Sequence, residues 1–93
     1  MALTFRISGP LRELAGDRNE VAVHGAASSL GEALALLWSE CPSFRDRVIT
    51  ELGAVRPHLN IFVDGENSRF TGGFATPVAE GAEIHILPAL SGG

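Results

Sequence analysis

The sequence contains no lysine, and its seven positively charged residues are all arginines. The formal net charge is −4, and the arginines are spread along the chain. A protein that binds nucleic acid normally carries a basic patch or stripe. We therefore expect no nucleic-acid partner. The absence of lysine also means that this chain cannot accept an isopeptide bond on one of its own lysine side chains.

Cysteine is scarce and long apolar runs are missing. Cys41 is the only cysteine, which excludes an intramolecular disulfide. The first residues lead directly into an alternating segment, without the charged and then apolar regions of a secretory leader. The longest apolar run, residues 33–38, is far shorter than the roughly 20 residues of a membrane-spanning helix. These absences predict a cytoplasmic protein with no membrane segment.

The sequence also lacks a recognisable catalytic centre. His24, His58 and His85 are too widely separated to form the HxxxH or Cys-x-x-Cys spacings that place two metal ligands together. Cys41 falls on an apolar helix face, where a buried and unreactive thiol is the usual occupant. We therefore predict no catalytic residue, no metal site and no bound cofactor.

Four segments alternate apolar and polar side chains with the period of two that is typical of a half-buried strand. Their apolar members are Leu3, Phe5 and Ile7, then Val21 and Val23, then Leu59, Ile61 and Val63, and finally Ile84 and Ile86. Asp64-Gly65 predicts a tight turn after the third strand, and Pro88 ends the last strand. We expect Arg69-Phe70 to pair briefly and residues 71–81 to form a loop.

A main helix is predicted between the second and third strands. Ser29 and Glu32 form a capping box, in which the serine oxygen accepts from an amide and the glutamate returns to the Ser29 amide. The helix should begin at Leu30 and end before Pro42. Its apolar stripe consists of Leu30, Ala33, Leu34, Leu37, Trp38 and Cys41. A second short helix is predicted from Ser43 to about Leu52.

The order of these elements predicts one α+β domain, because 93 residues suffice for a single core. Strands one and two form a hairpin, and the helix covers one face of the sheet. The simplest closure places the last strand beside the first, which gives a mixed sheet. We divide the chain into a domain of residues 1–88 and a flexible tail of residues 89–93.

The tail ends in Ser91-Gly92-Gly93. Since glycines have no side chain, Gly92 and Gly93 can pass through a narrow channel and bring the terminal carboxylate into the active site of another protein. A carboxylate is a poor electrophile, so an enzyme must first convert it to an acyl-adenylate. An ordinary frayed terminus is the alternative interpretation of these small residues.

The sequence from Ile86 to Gly93 resembles the terminal strand, proline and Gly-Gly tail of the MoaD/ThiS family of ubiquitin-like sulfur carriers. The resemblance extends over essentially the whole chain. Within the family, residues 60–63 and 69–76 are most similar to the CysO-type carriers of cysteine biosynthesis. The resemblance implies a ubiquitin-like β-grasp fold, with a mixed sheet of four to five strands and one main helix packed across it.

The resemblance also implies a function for the two terminal glycines. An E1-like adenylyltransferase and sulfurtransferase of the MoeB, ThiF or MoeZ type would use ATP and magnesium to convert Gly93 to a thiocarboxylate, with Gly92 as a slender spacer. In CysO-type systems the sulfur then passes to a PLP-dependent cysteine synthase, and a metalloprotease processes the adduct. The carrier itself would hold no cofactor and catalyse no step.

Phe62, Leu87, Pro88 and Leu90 are the candidate docking residues. Strand alternation places Phe62 and Leu87 on the sheet face opposite the helix, where an exposed apolar patch would indicate an interface. A small apolar cluster under residues 71–81 is the alternative. Three other functions remain open: the small subunit of molybdopterin synthase, a ubiquitin-like protein modifier, and a plain interaction module.

Overall fold

A computed structural model describes residues 2–88, apart from the side chains of Pro10 and Leu14. Five strands and two α-helices make up its regular structure. The strands are β1 (Ala2–Ile7), β2 (Glu20–His24), β3 (Leu59–Val63), β4 (Glu66–Asn67) and β5 (Glu83–Pro88), and the helices are α1 (Leu30–Glu40) and α2 (Ser43–Val48). The strands form one mixed sheet in the order β2-β1-β5-β3-β4.

The last strand lies in the centre of this sheet. β5 pairs with β1 in parallel, with Thr4 opposite Glu83, and with β3 in an antiparallel arrangement, with Ile61 opposite Ile86. β1 and β2 form the antiparallel hairpin that the alternation predicts. The predicted placement of the last strand beside the first is therefore confirmed.

The core lies between one face of the sheet and α1. Alternate residues of β1, β3 and β5 point into it, as the period of two requires. The largest fully buried side chains are Phe5, Phe44, Leu3, Ile7, Leu30, Leu34, Leu37, Ile61, Ile84 and Ile86. Because burying one such side chain contributes about 1.5–3 kcal/mol, this single cluster provides most of the driving force for folding.

The start of α1 has the predicted cap with one difference. The hydroxyl of Ser29 accepts from the amide of Glu32 at 3.3 Å, as predicted. The Glu32 carboxylate accepts from the amide of Ser28 at 2.7 Å and from its hydroxyl at 2.8 Å. The Glu32 carboxylate therefore caps Ser28 and not the predicted Ser29, because Ser28 offers two donors to the same carboxylate oxygen.

Two predicted elements are wrong in their extent or position. The second helix ends at Val48 rather than near Leu52, because Ile49 turns into an extended conformation and bridges Val55. Leu52 is 96% exposed, so it does not belong to the apolar side of a helix.

The predicted pairing of Arg69-Phe70 is also wrong. Glu66–Asn67 forms the short strand β4 instead, immediately after the predicted Asp64-Gly65 turn. Asp64 and Gly65 both have positive φ, 48° and 87°, so the turn reverses the chain at once and β4 pairs directly with the end of β3. Ser68–Phe70 is a 3-10 helix, as are Gly9–Ala15 between β1 and β2 and Gly73–Ala75 inside the predicted loop of residues 71–81.

Candidate functional site

The residues that precede the tail are fixed by strands on both sides. Leu87 lies opposite Asn60 and Pro88 opposite Leu59 in β3. On the other side, the amide of Ser8 donates to the carbonyl oxygen of Ile86 at 3.1 Å. The central strand therefore brings the chain to residue 88 at a defined point on the edge of the fold.

Phe62 and Leu87 lie together on the sheet face away from α1. Their neighbours Ile61 and Ile86 are buried, whereas Phe62 and Leu87 are only half-buried. Both line a cavity of about 180 Å³ together with His85, which lies directly opposite Phe62. We call Phe62, His85 and Leu87 the sheet-face patch. The structure therefore places these two predicted docking residues on one surface.

Pro88 does not belong to this patch. It lies opposite the buried Leu59 and lines a separate cavity of about 270 Å³ with Leu11, Arg47 and His58. Because successive strand residues face opposite sides of a sheet, Pro88 cannot share a face with Leu87.

The remaining predicted site residues, Leu90, Gly92 and Gly93, lie outside the described residues. The proposed division at residue 88 likewise stays a prediction.

The alternative cluster under residues 71–81 does not include the patch. This segment bonds to the start of α1, where the amide of Leu30 donates to Thr76 at 2.9 Å and the amide of Val78 donates to Ser28 at 3.1 Å. The five described residues that line the sheet-face cavity all lie outside the segment. The loop thus covers the helix side, and the patch stays accessible.

Charged residues surround the sheet-face patch. The Arg6 guanidinium contacts Glu20 and Glu83 at 3.1 Å each, and the hydrogen bond with Glu83 and the charges of both carboxylates raise the pKa of Arg6. Asp64 accepts from the amide of Glu83 at 2.9 Å. Glu83 also lines the same cavity as Phe62 and Leu87, so one arginine faces two carboxylates beside the patch, and this side of the sheet has an excess of negative charge.

His85 is a member of the patch that the sequence analysis did not propose. Its Nε2 shares a hydrogen bond of 2.6 Å with the hydroxyl of Ser8, so a polar group is held between Phe62 and Leu87. The alternation of β5 could have identified it, because His85 and Leu87 are two residues apart and so face the same side.

Residues 2–88 also bear on metal binding and membrane insertion. No group of three or more His, Cys, Asp or Glu side chains in this range could hold a metal ion. No helix in it is long and apolar enough to span a membrane. Cys41, predicted as a buried thiol, is partly exposed at the end of α1.

The sequence model of the ThiS family matches residues 5–93. The chain belongs to the ThiS family. It is 33% identical to the sulfur carrier protein CysO of Mycobacterium tuberculosis over 95 residues, and the alignment covers all of both chains. The crystal structure of that CysO aligns with a TM-score of 0.83 and 30% identity, over 95% of this chain and 99% of that one.

Two further relatives extend the comparison. Small archaeal modifier protein 1 of Haloferax volcanii is 34% identical over 92 residues, covering 98% of this chain and all of the relative. CysO in the BexX/CysO complex of Amycolatopsis orientalis aligns with a TM-score of 0.83 and 28% identity, over 98% and 99% of the two chains. The structural matches confirm the ubiquitin-like β-grasp fold of this ThiS-family chain.

The family matches also confirm the resemblance to MoaD/ThiS sulfur carriers. This ThiS-family chain is a member of the ubiquitin-like sulfur carriers, whose members are small carrier proteins rather than catalysts.

Proposed function

We propose that the carboxylate of Gly93 is adenylated by an E1-like enzyme and converted to a thiocarboxylate, which donates sulfur to a biosynthetic acceptor. The observation that carries the proposal is that the ThiS family match continues through the terminal glycines. These glycines follow the central strand β5, whose end is anchored to β1 and β3. A fixed strand followed by slender residues suits delivery of a carboxylate to a partner.

The chemistry requires two transfers at Gly93. The carboxylate oxygen attacks the α-phosphorus of ATP and releases pyrophosphate, which leaves AMP bonded to the acyl carbon. A persulfide of the sulfurtransferase then attacks the acyl carbon and releases AMP. A second thiol of that enzyme attacks the resulting acyl disulfide, which leaves the thiocarboxylate on Gly93 and a disulfide on the enzyme. Magnesium and ATP belong to the activating enzyme. Gly92 and Gly93 contribute slenderness, since a backbone without side chains enters a narrow active site.

The similarity to CysO favours cysteine synthesis as the pathway. A thiocarboxylate sulfur is a better nucleophile than a carboxylate oxygen, so it can attack an electrophilic carbon held by a PLP-dependent cysteine synthase. The acyl group then moves from sulfur to the neighbouring amine, and a metalloprotease hydrolyses the new amide to release cysteine. The carrier regains its Gly93 carboxylate in this last step.

The sheet-face patch is the proposed docking surface for the activating enzyme. Phe62 and Leu87 supply apolar area next to the end of β5, and Glu83, which lines the same cavity, supplies an acidic group at its border. A partner with an apolar centre and basic edges would complement both features. The crystallised BexX/CysO complex supports the idea that a carrier of this shape docks on a partner protein. Pro88 and Leu90 would contact the partner where the tail enters it.

A second candidate function is protein modification. The 34% identity to small archaeal modifier protein 1 favours it, and it would use the same Gly93 adenylate with a lysine amine as nucleophile. The molybdopterin synthase subunit and the plain interaction module remain further alternatives. Branched peptides joining Gly93 to lysine in cell digests would support modification, and stable copurification with a large catalytic subunit would support the synthase.

Intact-protein mass spectrometry tests the proposal. The chain is incubated with an E1-like enzyme, ATP, magnesium and a sulfide or thiosulfate source. We expect a mass increase equal to the difference between a sulfur and an oxygen atom. A variant that lacks Gly92 and Gly93 is the control, and it should show no increase while keeping the same circular-dichroism spectrum. An unchanged mass with several cognate activating enzymes would contradict the proposal.

A further inference from the structure

A groove runs along the helix side of the domain, between α1 and residues 49–57. It consists of two cavities that share Phe74 in their linings. The larger, about 370 Å³, is lined by Leu30, Val55 and Arg69 among others. The smaller, about 180 Å³, includes Trp38 and Arg45. We call the two cavities together the helix-side groove.

The most exposed large apolar side chains of the described residues are Phe74, which lines this groove, and two residues next to groove residues in the sequence. Leu52 is 96% exposed, Phe70 85% and Phe74 37%. Leu52 precedes Gly53 and Ala54, which line the two cavities, and Phe70 follows Arg69. Exposed apolar groups that cluster in this way mark interaction surfaces. The helix-side groove therefore has a feature in common with a protein interface.

Phe74 is held in place by the loop that carries it. Thr76 is 4% exposed, and its hydroxyl bonds to the Thr71 hydroxyl at 2.9 Å and to the carbonyl oxygen of Gly73 at 2.6 Å. The first turn of α1 also lies close to Phe74, because a β-carbon at Gly31 would be 3.4 Å from the Phe74 carbonyl oxygen. A surface fixed before binding loses less entropy when a partner arrives.

The charged residues among those that line the two cavities are both arginines, Arg45 and Arg69, although the whole chain carries −4. Arg69 donates to the carbonyl oxygens of Pro57 and Leu59 at 3.5 and 3.4 Å. Carbonyl acceptors orient a guanidinium group but do not cancel its charge. Arg45 approaches Asp46 at 3.7 Å, and both side chains are more than half exposed, so solvent weakens this pair.

The sheet-face side has the opposite balance. There a single arginine, Arg6, contacts two carboxylates at 3.1 Å each. The two sides of the domain therefore differ in charge, and they select partners of different charge.

We propose that the helix-side groove binds an acidic amphipathic segment of a partner protein. Apolar side chains of this segment would fill the cavities on either side of Phe74, and its carboxylates would pair with Arg45 and Arg69. The groove lies on the helix side, away from the sheet-face patch. A partner held there leaves the patch free for the activating enzyme, so one chain can be tethered and activated at the same time.

Selection from a random peptide library displayed on phage tests the proposal, with the intact chain as bait and no ATP present. We expect the selected peptides to combine Leu, Phe or Trp with Asp or Glu. Their affinity should fall about tenfold or more for Phe74→Ser and for Arg69→Glu, as for the loss of one central interface contact. Phe62→Ser, on the opposite face, is the matched control and should bind as the wild type does.

Several outcomes would overturn the proposal: no enriched peptide, peptides without acidic residues, or binding that Phe62→Ser removes and Phe74→Ser leaves intact. A concentration-dependent dimer in sedimentation that Phe74→Ser abolishes would assign the groove to a second copy of the chain instead. Thiocarboxylate formation by Phe74→Ser is measured in parallel. It should equal that of the wild type. This measurement distinguishes a failure of the proposed Gly93 chemistry from a failure of the proposed peptide binding in the groove.

Discussion

Gly9 and Pro88 approach so closely that a β-carbon on Gly9 would lie 3.0 Å from Cγ of Pro88. Gly9 also has a φ of 68°, a conformation that side chains disfavour. Gly9 begins the 3-10 helix after β1, and Pro88 ends the central strand β5. The absence of a side chain at Gly9 therefore allows the loop after β1 to support the residue from which the tail continues.

Substituting Gly9 by alanine should affect both stability and activation. The left-handed conformation alone should lower the free energy of unfolding by about 1–2 kcal/mol. The new methyl group must also displace the Pro88 ring, so the start of the tail shifts and thiocarboxylate formation slows. Urea denaturation measures the first effect and mass spectrometry over time the second.

Gly16 provides the matched control for Gly9. Its φ is 67°, and a β-carbon there would meet nothing within 4 Å. Gly16→Ala should therefore reproduce the backbone strain without moving Pro88, and its thiocarboxylate formation should match the wild type. Equal slowing by both substitutions would show that the contact with Pro88 has no role in presenting the tail.

Phe62→Ser should weaken docking of the activating enzyme. Because Phe62 is half-buried on the open face of the sheet, we expect only a small decrease in melting temperature. The kcat/KM of adenylation should fall about tenfold, the effect of losing one central apolar contact. Leu52→Ser, at the 96% exposed Leu52 on the other side, should leave kcat/KM unchanged. If Phe62→Ser also leaves it unchanged, the sheet-face patch is not the docking surface.

Strand alternation and the capping box predicted most of the fold. They are local patterns, and each strand of five or six residues contains enough of the period of two to assign its buried face. β4 contains only Glu66–Asn67, which is too short to show a period. The end of α2 depends on the bridge between Ile49 and Val55, a pairing that the helical spacing of the segment does not indicate.

Local sequence patterns also predicted only part of the candidate site. Alternation placed Phe62 and Leu87 on one face, and the same rule applied to Pro88 would have put it on the other. The positive charge of the helix-side groove could not be predicted in this way. Arg45 and Arg69 are 24 residues apart in the sequence, and only the packing of the 49–57 segment and the 71–76 loop against α1 brings them to one groove.

The cap of α1 should make stability depend on pH. Hydrogen bonds from the amide and then the hydroxyl of Ser28 lower the pKa of Glu32 below its ordinary value of 4.5. The unfolded chain therefore takes up the proton first. The stabilisation by Glu32 is complete above its ordinary pKa and is lost as the pH falls through the lowered value.

Melting temperatures measured from neutral pH to strong acid test this dependence. The difference between the wild type and Glu32→Gln should be largest at neutral pH and should shrink as the pH falls below 4.5. Glu40→Gln, at the other end of α1, removes the same charge without touching the cap and should follow the wild-type dependence. A difference that stays constant down to strong acid would exclude the Glu32 carboxylate as the titrating group.

Gly92→Val tests the proposed role of the spacer without removing the reactive carboxylate. If the passage in the activating enzyme admits only a backbone, a branched side chain at this position displaces the Gly93 carboxylate from ATP. A displacement of this kind can lower a rate about a hundredfold. The rate of thiocarboxylate formation, measured by mass spectrometry, should therefore fall about a hundredfold, and the melting temperature should stay unchanged. Ser91→Ala is the control: it changes the preceding residue to one with a smaller side chain, and it should react at the wild-type rate. A wild-type rate for Gly92→Val would mean that the enzyme tolerates side chains there, and the Gly-Gly sequence would then need another explanation.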